Sequence, residues 1–283
     1  GMEDRFSGWL PEKEGVTVPL TDGAGQMRAV GRATAFSSMG HLGQRLQAAY
    51  EATVANSAEL AQLYNHLYPG AEPAASLAAD QKPYIFVVSS LAGGTGAGIF
   101  MDICDVFRAC DDDLSNRISG VLFSAEVFAN LTNESGLQPN SLAALSEIMS
   151  GYFDHHRPLE PLYTREMPIA TAHAGVSGPA FPYVIGTSTM AGRSLPEIMD
   201  CYRATTQTLA AVMMNPTDIG YYFTQFAQTN WMARQSNNVV AWSFGNQSPI
   251  NEAKGVFSSF GSSTLSLGLR RMEEYAIQRA ARV

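Results

Sequence analysis

Ser89-Ser90-Leu91-Ala92-Gly93-Gly94-Thr95-Gly96-Ala97-Gly98 is the stretch whose reading decides the fold of this chain, because four glycines crowd into its last six positions. Before it runs Tyr84-Ile85-Phe86-Val87-Val88, apolar and rich in β-branched and aromatic residues, which predicts a strand over 84–88. After it, Ile99, Ile103, Val106 and Phe107 fall on one face of a helix expected over 97–109. Strand, glycine-rich turn and helix in that order make a cradle for phosphate. Glycine lets backbone approach an anion closely, and the unpaired N–H groups opening a helix carry partial positive charge.

Working outward, the 283 residues suit one large α/β domain or two small ones, and 46% hydrophobic content is enough for a sizeable core. A formal net charge of −8 argues against nucleic acid or an anionic membrane surface as the main partner, since phosphate backbones demand clustered Lys and Arg. Three cysteines, Cys104, Cys110 and Cys201, lack metal-ligand spacing and read as reduced thiols, so a cytoplasmic location is expected. The five histidines form no cluster with cysteine or carboxylate at zinc spacing, so no metal ligands are assigned. No apolar stretch is long enough for a membrane span, and no secretion signal is visible. Gly1 ahead of Met2 reads as a tag remnant.

Along the chain, Asp22 to Gln26 reads as a turn. Met39, Leu42, Leu46, Tyr50, Leu60 and Leu63 predict one long helix or two shorter ones over 38–66. Asp111-Asp112-Asp113 reads as the solvated end of the helix after the glycines. A strand over 118–127, a helix opening at Pro139, a strand over 181–187 and an amphipathic helix over 195–214 follow. Beyond them, a helix near 219–226, strands over 239–244 and 256–267 and a last helix complete the pattern. This alternation predicts an α/β fold with a mostly parallel sheet and helices on both faces.

The glycine turn follows neither the dinucleotide pattern nor the P-loop pattern, for no lysine comes after its glycines. Ala92-Gly93-Gly94-Thr95-Gly96-Ala97-Gly98 instead resembles the signature of the tubulin/FtsZ superfamily, G-G-G-T-G-[ST]-G, with Ala92 and Ala97 each departing by one small residue. The resemblance implies a Rossmann-type GTPase-like fold in which these residues wrap the phosphates of GTP or GDP with Mg²⁺. Gly23-Ala24-Gly25-Gln26 resembles the G-A-G-N turn that faces the terminal phosphate in that family. Gln138-Pro139-Asn140-Ser141 is similar to a helix entry whose Asn binds the nucleoside, which implies that role for Asn140, with Glu134 or Gln138 reaching the ribose. Tyr202 and Thr206 stand at the spacing of a Tyr that stacks on guanine and an Asn that reads its edge.

The resemblance also implies self-association into oligomers or filaments, with slow GTP hydrolysis where an acidic loop enters a neighbour's pocket. Met214-Asn215-Pro216-Thr217-Asp218 is the counterpart of that loop and makes Asp218 the candidate catalytic acid, although its spacing differs by one and Pro216 stiffens the turn. Tubulin-type domains open with a strand and first phosphate loop that these residues lack, so 1–194 is expected to be a partial nucleotide-binding domain. Residues 195–217 would be the central helix and its loop, and 218–283 the start of a C-terminal domain. A missing central strand would expose a sheet edge and favour association.

Other readings stay open. Arg28 and Arg32 suit phosphate oxygens or solvent equally. A scaffold that keeps the fold without nucleotide turnover fits the altered acidic loop. An unrelated dinucleotide- or flavin-binding protein would use Glu126 as its acidic ribose partner.

Overall fold

The computed structural model describes residues 23–67, 82–111, 113–114, 117–131, 135–153, 178–189, 192–213, 259, 275 and 277–280. Within them lie helices α1 (Arg28–Ser37), α2 (Met39–Ala55) and α3 (Ser57–Leu67), then strand β1 (Ile85–Ser90) and helix α4 (Gly94–Cys110). Strand β2 (Ile118–Phe123), a 3₁₀ turn (Ala125–Phe128), helix α5 (Leu137–Phe153), strand β3 (Phe181–Ile185) and helix α6 (Ile198–Met213) follow. The strands form one parallel sheet in the order β1-β2-β3, with Ile85 opposite Ile118 and Phe123 opposite Ile185.

A parallel sheet needs covered faces, and the sequence of β2 shows how both are filled. All six of its residues are buried. Ile118 and Leu122 point into one cluster with Leu91 from the turn after β1, Phe100, Met101 and Cys104 from α4, and Ala144 and Ile148 from α5. Val121 and Phe123, on the alternate face, pack with Val127, Ile185 and Cys201, under α6. The arrangement follows from connection handedness. The strand order advances in one direction, so right-handed crossovers carry α4 and α5 to the same face. The chain leaving β3 then supplies α6 to the other. Helices on both faces of a parallel sheet are what the alternation predicts.

Several boundaries differ from the sequence reading. Strand β1 runs on through Ser89 and Ser90, and α4 begins at Gly94, so three of the four glycines belong to the first turns of the helix. The strand expected over 118–127 stops at Phe123, and Ala125–Phe128 turns as 3₁₀. Helix α5 starts at Leu137, two residues ahead of Pro139. The face expected to bury α4, at 99, 103, 106 and 107, covers only part of what is buried. Ala97, Phe100, Met101 and Cys104 are buried more deeply than Ile99, Ile103 or Phe107, because they are the residues that pack with Val87, Leu91, Ile118 and Leu122 in the core. Helix α1 was not expected at all. Leu60 and Leu63, part of the pattern that predicts helix over 38–66, are exposed, and α3 buries none of its residues. The segments at 219–226, 239–244 and 256–267 lie outside the described residues.

Asp111 corrects the expectation of a solvated charge run. Its Oδ2 accepts from Tyr50 Oη at 2.5 Å and from Lys82 Nζ at 2.6 Å, tying α2 and the entry to β1 onto the end of α4. Burial alone would raise the Asp111 carboxyl. The hydrogen bonds from Lys82 and Tyr50 outweigh it and hold the group below its ordinary value. Burial, then the bond to Asp111, pushes the Tyr50 phenol up, and the bond to Asp111 raises Lys82. The carboxyl is depressed, so its stabilisation is present above the unfolded carboxylate range, near pH 4, and is lost as pH falls through the folded value. The raised phenol and ammonium stabilise below about pH 10 and lose that contribution as pH climbs through their folded values. Unfolding midpoints are therefore expected to stay level between about pH 5 and 9 and to fall on both sides. Asp111→Ala is expected to lower stability by about 2 kcal/mol at pH 7 and to flatten the acid limb. Midpoints measured across pH check both.

Candidate functional site

Three strands run parallel and end together, so their carboxyl ends form one edge, where open α/β sheets place ligands. The ladder continues past the strands there, as Leu91 N–H donates to Phe123 O at 2.9 Å and Ser124 N–H to Ile185 O at 3.0 Å. Ser90 Oγ accepts from Ala92 N–H at 3.0 Å and turns the chain sharply out of β1 into the glycines.

The four glycines do different jobs. A methyl group on Gly96 would come within 2.6 Å of Ser89 Oγ and 3.2 Å of Ser90 O, so this glycine lets α4 start against the end of its own strand. On Gly98 it would meet Arg28 O at 2.7 Å, so this one admits α1. On Gly94 it would meet Ala24 O, Gly25 O and Met27 N, each at 2.8 Å, so this one admits the turn at 23–26. Only at Gly93 would a methyl group meet nothing within 4 Å. Gly93 is the cap residue of a 17-residue helix, extended at φ −85° and ψ 170°, with no side-chain cap.

Those positions decide which amides can greet an anion. Gly94 N–H donates to Gly25 O at 2.8 Å and is committed within the protein. Among the described residues, none accepts a hydrogen bond from the N–H of Gly93, Thr95 or Gly96. Gly93 and Gly96 are half-buried and Thr95 is exposed, so these donors stand at the surface with the helix dipole behind them. Within 92–98, three amides and the exposed Thr95 thus stand without acceptors among the described residues, while Ala92 and Ala97 are buried.

The turn at 23–26 lies against this cradle. Gly23 and Gly25 adopt φ of +82° and +54°, a left-handed conformation that favours glycine, and a methyl group on either would point into open space. Asn140 braces the two turns, its Nδ2 donating to Gln26 O at 2.7 Å and to Ala92 O at 2.9 Å. Gln26 Oε1 accepts from Gly136 N–H at 2.6 Å and joins the entry of α5 to the same junction. Asn140 is buried, and its amide nitrogen serves this brace. The Gln26–Gly136 link was not foreseen, since two residues 110 positions apart carry no shared pattern.

Arg28 and Arg32 are both buried, which overturns the solvent-facing reading, and both are held by protein partners. Arg28 donates from Nε and NH2 to Ala97 O and pairs with Glu147 at 2.5 Å. Arg32 pairs with Asp102 at 3.2 Å, with both side chains about 95% buried, and lies 5.1 Å over the Phe36 ring. On the first helix after a turn, a cation facing the next helix cannot be told from one facing a ligand by spacing alone.

Tyr202 stands at the same end of the sheet, its ring edge-on to Phe123 with centroids 4.9 Å apart. Thr206 is exposed, one helical turn on, and its Oγ1 donates to Tyr202 O at 2.8 Å. Glu126 accepts from Thr187 N–H at 3.1 Å, holding the 3₁₀ turn to the end of β3. Gln138 is exposed, while Glu134, Asn215 and Asp218 lie outside the described residues. Among the described residues no group of three His, Cys, Asp or Glu side chains could hold a metal ion, and no helix is long and apolar enough to cross a membrane.

No curated protein and no solved structure matches the chain. The family described as "Tubulin like" matches it over residues 2–283. With a parallel three-strand sheet, helices on both faces and the glycine-rich turn at its carboxyl edge, the chain belongs to this tubulin-like family.

Proposed function

We propose that the protein binds a guanosine di- or triphosphate on the turn at 92–96 and associates with copies of itself. The observation that carries the reading is the set of three amides, at Gly93, Thr95 and Gly96, without acceptors among the described residues. They open a 17-residue helix beside a glycine whose side-chain space is empty. Such donors favour negative charge, and a diphosphate matches several of them at once. The Thr95 hydroxyl adds a donor, and Gly23 and Gly25 leave the facing turn open to a terminal phosphate. Self-association rests on the family.

Mg²⁺ fits this site through the phosphates. It keeps several waters and is held largely by substrate oxygens, so the lack of a carboxylate cluster among the described residues does not oppose it. Bound there it would supply charge neutralisation for the phosphates. The chain's own residues bind and orient: the amides hold phosphate oxygens, and the Asn140 brace keeps the two turns in register.

Hydrolysis would fall to Asp218 of a neighbouring copy. A second reading, a scaffold that binds nucleotide with little turnover, draws on Arg28 and Arg32. Both are committed to α4 and α5, so neither is poised to neutralise charge developing on a phosphate. Phosphate release from GTP, measured against protein concentration, tests the two. A rate per molecule that climbs with concentration and drops at least tenfold in Asp218→Ala supports shared-site hydrolysis, given the size of single-residue effects in phosphoryl transfer. A flat, negligible rate with GDP still bound supports the scaffold. Failure of both nucleotides to bind overturns the proposal.

A further inference from the structure

Helix α3 carries three leucines on one face, Leu60, Leu63 and Leu67, which are 45%, 52% and 60% exposed. Their spacing of three and four residues makes a stripe. The stripe does not stop where α3 begins. Asn56 N–H donates to Ala52 O at 3.0 Å and Leu60 N–H to Asn56 O at 3.0 Å, so the helical ladder passes from α2 into α3. Counted back at the same spacing, the stripe continues through Asn56, Ala52 and Ala49, all exposed. Met39, Gly43 and Tyr50 mark the side of α2 turned to the core, and the stripe lies about a third of a turn round from them.

Size and polarity along this stripe are arranged about its middle. Asn56 stands at the centre. Leu60 and Leu63 lie four and seven positions after it, and Ala52 and Ala49 four and seven positions before it. Leu67 and Arg45 stand eleven positions away on either side. Turning a second copy end for end about Asn56 therefore sets each large side chain against a small one. Leu60 meets the partner's Ala52, and Leu63 meets the partner's Ala49. Leu67 lies along the aliphatic stem of the partner's Arg45, whose guanidinium reaches water.

Large facing small lets two helices interdigitate. At the centre Asn56 meets the partner's Asn56. An amide both donates and accepts, so two of them across a two-fold axis exchange two hydrogen bonds. A single polar residue in an apolar helix seam fixes register and orientation. Antiparallel helices also set their macrodipoles against one another. An unrelated partner would impose no such symmetry on the stripe. A two-fold interface does, because it uses the same patch on both subunits and requires that patch to complement itself.

Resting on the self-association proposed above, we infer that the exposed stripe of α2 and α3 docks a second copy of this chain about a two-fold axis at Asn56. The pair closes on itself, so this surface makes a dimer and stops there. Head-to-tail growth would use a different face.

Sedimentation equilibrium of the full chain, with and without GDP, tests this. The wild type is expected to form dimers. Leu63→Glu is expected to weaken them by about tenfold or more, because a carboxylate would be buried against the partner's Ala49. Ala49→Lys does the same from the other side. Combining Leu63→Glu with Ala49→Lys brings opposite charges together twice. Roughly fivefold or more of the loss should return, the scale of coupling between residues in contact. Both sites are exposed on the single chain, so the variants keep the core that folds it. A Leu63→Glu variant that associates as the wild type does overturns the inference and leaves self-association through another face standing. So does a double variant no tighter than either single one. A wild type that stays monomeric with and without GDP overturns both.

Discussion

Gly94→Ala is expected to unfold at markedly lower denaturant and to lose nucleotide binding, whereas Gly93→Ala, one residue away, loses binding alone. The contrast follows from what each methyl group would meet. At Gly94 it would come within 2.8 Å of Ala24 O, Gly25 O and Met27 N, all backbone atoms that cannot rotate away. The turn at 23–26 must then lift off α4. That breaks the Gly94 N–H to Gly25 O bond and pulls Gln26 O away from Asn140. Overpacking of this kind costs about 2–3 kcal/mol.

At Gly93 the methyl group would meet nothing within 4 Å, and φ of −85° is ordinary for alanine. Stability should change by no more than about 1 kcal/mol, the scale of exchanging glycine for alanine at a helix cap. The methyl group would, however, stand in the space through which an anion reaches the three amides. Denaturation midpoints paired with GDP titrations of both variants measure this. If Gly93→Ala binds GDP as the wild type does, phosphate does not sit on this turn.

Asp102→Ala is expected to be the most destabilising single change in the described core. The Arg32–Asp102 pair is about 95% buried on both sides, at the seam of α1 and α4. Removing the carboxylate leaves a guanidinium in an apolar seam, with Phe36 beneath it. Loss of one partner from a buried pair costs about 3–5 kcal/mol, because the remaining charge loses its close opposite charge and stays buried. Replacing both partners with apolar residues of similar size removes that charge, so Arg32→Met with Asp102→Leu should recover most of the loss. Urea unfolding of the single and double variants gives the comparison. A double variant no more stable than Asp102→Ala would show that the pair itself, and not the buried guanidinium, decides the stability of the seam.

The local pattern carried far in this chain. β-branched runs ahead of glycine and apolar periodicity behind it suffice to announce a strand, a turn and a helix, because these signals act over a few neighbours. The alternation of such units implies a parallel sheet covered on both faces, and the wording of residues 92–98 points to the tubulin-like family. Val121, Phe123, Ile118 and Leu122 needed no long-range knowledge to be placed in a core.

Less was legible where two distant segments meet. Arg28 and Arg32 look like phosphate ligands after a glycine turn. Only the packing of α1 on α4 turns them toward Glu147 and Asp102. Asn140 carries the signature of a nucleoside contact, yet its amide nitrogen braces two backbone carbonyls 114 and 48 positions away. Asp111 sits in a run that reads as solvated until Tyr50 and Lys82 close on it.

The sequence by itself determined the strand–turn–helix order around the glycines and the class of fold, since each depends on residues within one or two helical turns. Tertiary structure alone decided which glycine leaves room for a ligand and which three make room for the protein. It also decided which amides remain to be met. The physical reason is that a hydrogen bond or a steric contact is a property of two atoms, and the second atom here belongs to a segment the first cannot announce.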